Sequence, residues 1–218
     1  MKVFLIGALL VCSPIFIKAQ THFKIDATYA NRTLVLDSLY DNTYAINKLR
    51  FYLSDIVLID TNDRIIYTHP KKHILVDLKH PTSQEVHFYN SLSDSTANLR
   101  LQFGIGIDST TNSKGAMADD LDPVNGMYWT WQSGYINVKI EGTKQREEKS
   151  EEFQFHLGGF TAPYNTYRTI TRPYGSLITI KMDQFFKQMT WERMFIMRPG
   201  EEAVDLINQF CTSIHSSL

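Results

Sequence analysis

Two tryptophans two residues apart, Trp129 and Trp131, mark the stretch of the chain richest in chemistry. Gln132 and Tyr135 follow them, and Gly126 and Gly134 stand on either side of the pair. His156 lies in the next apolar run, Phe153-Gln-Phe-His-Leu-Gly158. Indole and phenol rings combine a broad apolar surface with a single polar handle. Imidazole adds a proton-transfer group or a metal ligand at neutral pH. The set suits ligand binding. It also has a plain structural reading, with the tryptophans as packing on the second face of a sheet and His156 as a satisfied sheet histidine.

Other constellations are weaker. His69, His73 and His80 crowd into a short stretch broken by Pro70 and Pro81, which reads as a solvated loop. His22, His87 and His215 show no metal-ligand spacing. Asp108, Asp119, Asp120 and Asp122, with Asn112 and Asn125, form an oxygen-rich loop without the spacing of a calcium loop. There is no G-x-S-x-G, Walker loop, H-E-x-x-H or C-x-x-C. No nucleophile, base and orienting group fall together, so the chain reads as a binding protein and not an enzyme.

The elements that must position these residues read mostly as strands. Phe23, Ile25 and Ala27 alternate with polar neighbours, as do Leu101, Phe103, Ile105 and Ile107. Apolar parity runs 49, 51, 53 and then switches to 56 and 58, which predicts a bulge near Ser54-Asp55. Read as one unbroken strand, residues 127–141 put Ile136, Val138 and Ile140 on one face. Trp129, Trp131, Tyr135, Asn137 and Lys139 then share the other, unless Ser133-Gly134 forms a bulge that reverses parity. A charged turn over 142–150 then allows a hairpin that carries His156 to the tryptophan face. Asp183 is a candidate cap for one or two helical turns. Residues 201–214 carry apolar positions at helical spacing behind Pro199-Gly200. The pattern predicts an all-β fold, an antiparallel β-sandwich with a short C-terminal helix. No repeat or linker divides residues 21–218, which read as a single domain.

Residues 1–20 read as a secretory signal peptide. Lys2 precedes an apolar run too short to span a membrane, and Lys18-Ala-Gln20 is a short polar exit. Cys12 lacks the usual small residue before it, so cleavage near Gln20 is favoured over lipidation. The expected product is exported, periplasmic or outer-surface, and not transmembrane. Without Lys2 and Lys18 the chain keeps 20 basic and 23 acidic side chains, a formal charge of −3, which offers no footprint for nucleic acid. Cys211 is then the single cysteine, so no intrachain disulfide is expected.

Five stretches, in order, resemble the MbnP-like proteins, the methanobactin-associated periplasmic copper-binding family. They are Arg50-Phe-Tyr-Leu-Ser-Asp-Ile56, Phe103-Gly-Ile-Gly-Ile-Asp108, Leu121-Asp-Pro-Val-Asn-Gly-Met127, Trp129-Thr-Trp-Gln-Ser-Gly-Tyr135 and Phe155-His-Leu-Gly158. The resemblance spans roughly residues 23–180 and is similar to the Bacteroidetes-type branch. It implies an exported β-sandwich able to hold copper with two histidines and a tryptophan oxidised to kynurenine by a diheme peroxidase-like partner. Carried over, His156 matches the histidine of the His-Leu-Gly motif, and Trp129 or Trp131 matches the modified tryptophan. Ser113, after Asn112, stands where the resemblance expects the second histidine. Gly159-Phe160 stands where relatives often carry a cysteine. Met117 or Met127 is a possible substitute ligand. The rival expectation is a metal-free sandwich that binds a protein or glycan through the aromatic face of Trp129, Trp131 and Tyr135.

Overall fold

The computed structural model describes residues 22–88, 98–132, 134–147, 149–189 and 191–217. The expected signal peptide, Cys12 and Ser133 lie outside them. Strands follow in the order β1 (His22–Tyr29), β2 (Arg32–Thr33), β3 (Leu39–Tyr40), β4 (Tyr44–Ile59), β5 (Ile65–Thr68), β6 (His73–Asp77), β7 (Glu85–His87) and β8 (Arg100–Ile105). A short helix, α1 (Ser109–Asn112), leads to β9 (Tyr128–Trp129), β10 (Gly134–Arg146), β11 (Lys149–Gly158), β12 (Arg168–Pro173) and β13 (Leu177–Lys181). Helix α2 (Met182–Lys187), β14 (Phe195–Ile196), helix α3 (Glu201–Thr212) and β15 (Ile214–Ser217) complete the chain.

The fold is a β-sandwich with a short C-terminal helix. The smaller sheet runs β15-β13-β1-β2, with β7 also on β1. The larger runs β12-β8-β4-β10-β11-β14, and β4 at its centre also pairs with β3, β5 and β6. The alternating residues become the core between the layers: Phe23, Ile25 and Ala27 face Leu49, Phe51, Val138, Ile140, Phe153 and Phe155. Helix α3 adds Ala203, Leu206, Ile207 and Phe210 to that core, at its predicted apolar spacing. The predicted bulge in β4 is present: register against β8 shifts between Ser54 and Val57, and Asp55 takes φ 49°.

Local details differ from expectation. The sandwich is not wholly antiparallel, because β1 pairs with β13 and β11 with β14 in parallel. These partners are joined by long connections and not by hairpins, so no turn dictates their direction. The charged turn is shorter than 142–150: β10 runs to Arg146 and β11 starts at Lys149. Cross-strand partners from Gly142↔Phe153 to Arg146↔Lys149 keep the polar residues in the ladder. His69 is buried, and half-buried His73 begins β6 opposite Ser54, so only exposed His80 matches the solvated-loop expectation. Asp183 sits in the first turn of α2, and Lys181 takes the cap position. Ile214 belongs to β15, where it pairs with Ile180.

Candidate functional site

Residues 127–141 are not one strand. Trp129 pairs with Gly134 and Tyr128 with Tyr135, so the chain reverses direction between Trp129 and Gly134 and β9–β10 is a hairpin. Parity changes further on, between Ile136 and Val138, where the register of β10 against β11 shifts. Val138 and Ile140 therefore reach the inter-sheet core, whereas Ile136 joins a second apolar cluster. Asn137, predicted on the polar face, is fully buried. Its Oδ1 accepts from the Ile107 amide at 2.9 Å and its Nδ2 donates to Thr166 Oγ1 at 2.9 Å. A buried amide needs such partners, and nothing in the alternation signals them.

The second cluster holds Tyr52, Ile107, Leu121, Met127, Trp129, Tyr135 and Ile136. Tyr135 is 1 % exposed, and its ring lies edge-on to Tyr52 at 5.9 Å and to Tyr128 at 4.9 Å. Its hydroxyl donates to the Leu121 carbonyl at 3.0 Å and accepts from the Met117 amide at 2.9 Å. Burial pushes this phenol's pKa up. Its chemistry is spent on tethering the loop above the cluster, and it offers no open binding face.

The two tryptophans separate. Trp131 is 66 % exposed at the hairpin tip, and Trp129 is 6 % exposed beneath it, with ring centroids 5.8 Å apart. Trp129 lies on Gly158: a Cβ there would stand 2.6 Å from Trp129 Cζ3 and 2.7 Å from the Tyr135 carbonyl oxygen. The glycine of His-Leu-Gly thus makes room for the indole. Trp129 Nε1 is buried and has no hydrogen-bond partner. The ring borders a recess of about 30 Å³ lined also by Gln132, Phe160 and Pro199, roughly the volume of one water. Gln132 is exposed. The expected aromatic face of three rings is therefore not assembled, and Trp131 alone of them is open to solvent.

His156 sits on the same strand as Gly158, two positions before it. Side chains at i and i+2 share a sheet face and lie about 6–7 Å apart. The imidazole is 6 % exposed, and its Nε2 stands 2.8 Å from Glu141 Oε1. The other carboxylate oxygen takes Lys48 Nζ at 2.5 Å. Lys139 opposes His156 in the ladder, lies 3.7 Å from Glu141 Oε1, and donates to the Gly126 carbonyl at 2.7 Å. The hydrogen bond from His156, aided by Lys48 and Lys139, outweighs burial and holds the Glu141 carboxyl at about 2. Nδ1 of His156 makes no hydrogen bond among the described residues.

The remaining candidates do not join this group as ligands. Asn112 is buried, donating to the Ile107 carbonyl and accepting from the Tyr135 amide. Ser113 is exposed and its hydroxyl returns to the Thr110 carbonyl. Met127 is packed inside the second cluster, and Met117 is 40 % exposed. No group of three or more His, Cys, Asp and Glu gathers for a metal among the described residues. The acidic loop is used internally: Asp108 caps α1 through Thr111, and Asp120 accepts from the Leu75 amide and pairs with Lys71. Cys211 packs against the core, and burial pushes its thiol to about 12.

Sequence reasoning missed Glu141, which it read as the end of a plain strand. The usable signal was the opposed charge on neighbouring strands, Lys48 and Glu141, but their register was not available. The model of the MbnP family matches residues 18–193. MbnP from Methylosinus trichosporium shares the fold, with a TM-score of 0.58 over 85% of this chain and 86% of that one, at 12% identity. No curated protein matches the chain.

Proposed function

The chain belongs to the MbnP family, and from that premise we propose that it is an exported, non-catalytic binding protein with copper as its candidate ligand. Export rests on the signal-like pattern of residues 1–20. No helix among the described residues is long and apolar enough to cross a membrane. The non-catalytic reading is supported by the serine–histidine pair found among the described residues. Ser54 is fully buried and gives its only proton to the Gly106 carbonyl at 2.5 Å, so His73 Nδ1, 3.0 Å away, must donate to Ser54 and cannot serve as its base.

What supports the copper reading is family membership together with His156, one same-face step from the Gly158 on which the Trp129 indole lies. The donor set offers one imidazole and does not complete a site for a soft ion, which wants two nitrogen or sulfur ligands; Ser113 stands where the second imidazole is expected. His156 would hold the metal, with Trp129 or its kynurenine beside it. Bound copper(I) would supply a soft, redox-capable cation at that place. Oxidation of Trp129 or Trp131 would need a diheme peroxidase-like partner, and Trp131 at the hairpin tip is the ring such a partner meets first.

The test is elemental analysis of purified mature protein after copper(I) loading and desalting. Bound copper that is lost in His156→Ala supports the reading; no copper, or equal copper in that variant, overturns it. Intact and peptide mass on protein from native cells separates out the kynurenine: a mass gain on the Trp129–Trp131 peptide supports it, and an unmodified peptide removes it.

A second, metal-free reading is favoured by a specific surface. Trp131, Phe195 (57 % exposed) and Met197 (41 % exposed) line a recess of about 310 Å³ with Arg193, Arg198 and Glu202. An exposed patch of this kind suits a protein or glycan partner. Loss of partner capture in a folded Trp131→Ala variant, with copper absent from the wild type, would favour it.

A further inference from the structure

A soft ion wants two nitrogen donors, and strand register supplies such a pair away from His156. Strands β1 and β7 run antiparallel with His22 opposite His87, Phe23 opposite Val86 and Lys24 opposite Glu85. Phe23 and Val86 are buried in the inter-sheet core, so alternation turns both histidines to the outer face of the smaller sheet. Their ring centroids lie 5.5 Å apart, with the planes tilted by 34°. Directly opposite residues hold their Cβ atoms about 4.5–5.5 Å apart, a span across which two imidazoles swing onto one ion. An imidazole bound at about 2.0 Å puts its ring centroid about 3.1–3.2 Å from the ion. Two rings 5.5 Å apart then subtend roughly 120° at that ion, the angle of a three-coordinate site completed by one water.

The His87 ring carries a second sign. Its Nδ1 is the one histidine nitrogen among the described residues that is fully buried without a hydrogen-bond partner. Leaving such an atom unmatched costs free energy, which an ion ligated there recovers. Nε2 of the same ring lies 3.4 Å from Glu85 Oε2, so a carboxylate backs the imidazole from its other nitrogen. No metal-holding group of three His, Cys, Asp or Glu forms among the described residues. Zinc, which takes four ligands, is poorly served by such a pair. Copper(I) is soft and accepts a low coordination number, which two imidazoles and a water satisfy. We propose that His22 and His87 form a two-imidazole site for copper(I). It lies on the smaller sheet, whereas His156 belongs to the larger one, and it does not rest on the reading of His156.

The experiment titrates the full mature chain with copper(I) against a competing chelator, beside His22→Ala, His87→Ala and His156→Ala. Removing a ligand must cost at least the roughly 10-fold that removing an outer partner costs. His22→Ala and His87→Ala are therefore each expected to weaken one copper(I) equivalent by about 10-fold or more, and His156→Ala to leave that equivalent in place. X-ray absorption of the loaded wild type is expected to show two imidazole nitrogens on copper. His22→Gln and His87→Gln, which keep a polar side chain on the outer face, repeat the test should an alanine variant fold poorly. Unchanged affinity at either position overturns the site. So does copper held by a single imidazole, or zinc(II) bound more tightly than copper(I). Copper lost in His156→Ala alone places the metal beside Trp129 and overturns this proposal while leaving the other reading; no copper on the wild type overturns both.

Discussion

Two apolar clusters lie on the two faces of the large sheet and follow different rules. The inter-sheet core is built from strand positions two apart, such as Phe153 and Phe155, stacked at 5.0 Å. The second cluster collects residues that no single period relates: Tyr52 and Ile136 beside register shifts, Leu121 and Met127 from the loop, Trp129 and Tyr135 from the hairpin. The first is closed by apolar contact, with Tyr29 at its edge donating to Asp41. The second leaves the Trp129 nitrogen unpartnered and ties the Tyr135 hydroxyl to loop backbone. His156 and Glu141 lie along the strands beside the second cluster. Apolar burial is concentrated in the periodic core, and buried polar contacts gather where periodicity breaks.

That contrast can be tested by substitution. Phe155→Ala opens a hole in the inter-sheet core and should cost about 3–5 kcal/mol in urea unfolding; a cost near zero would mean the layers repack freely. Gly158→Ala forces the Trp129 ring or the backbone of Tyr135 to move. It should cost about 1–3 kcal/mol and shift tryptophan fluorescence while leaving the inter-sheet core's amide exchange unchanged. Wild-type fluorescence in this variant would argue against Trp129 resting on Gly158.

Tyr135→Phe removes the tether of the loop and leaves the Met117 amide without its acceptor. About 1 kcal/mol is expected, with faster amide exchange at Met117 as the local readout. Acid should separate the clusters too. Glu141 is held at about 2 when folded, against an ordinary value of 4.5. A lowered folded pKa contributes stability that is fully present above the unfolded value. That contribution is lost as pH falls from about 4.5 toward 2. Glu141→Gln should abolish its share of the slope, so the difference between wild-type and variant unfolding curves is flat above about pH 5 and shrinks toward pH 2. A constant difference across that window would falsify the pairing. Smallest of all, Trp131→Ala should change stability by no more than about 0.5 kcal/mol, since its ring is mostly in solvent; a large loss would show that the hairpin tip is structural.

Much of the sandwich was readable because alternation reports burial directly. Residues 23–27 and 101–105 point where their parity says, whereas Ile107, past the strand end and the positive φ of Gly106, turns into the second cluster; the switch at Ser54-Asp55 marks a real bulge, and α3 buries its predicted face. The site was less readable. The reversal between Trp129 and Gly134 hid inside a run that also reads as one strand, since aromatic residues suit a strand on either side of a turn. The bulge moved from the glycine to Ile136 and Val138 because Asn137 finds buried partners on Ile107 and Thr166, both distant in sequence.

The sequence by itself determined the layer architecture, the C-terminal helix and the family to which the chain belongs, because these depend on period and on local motifs. Only the tertiary structure decided that Trp129 goes in and Trp131 stays out, that Asn112 and Tyr135 serve the fold, and that Glu141 is the partner of His156. Each of those outcomes depends on register between strands far apart in the chain, and a shift of one residue would turn every side chain to the opposite face.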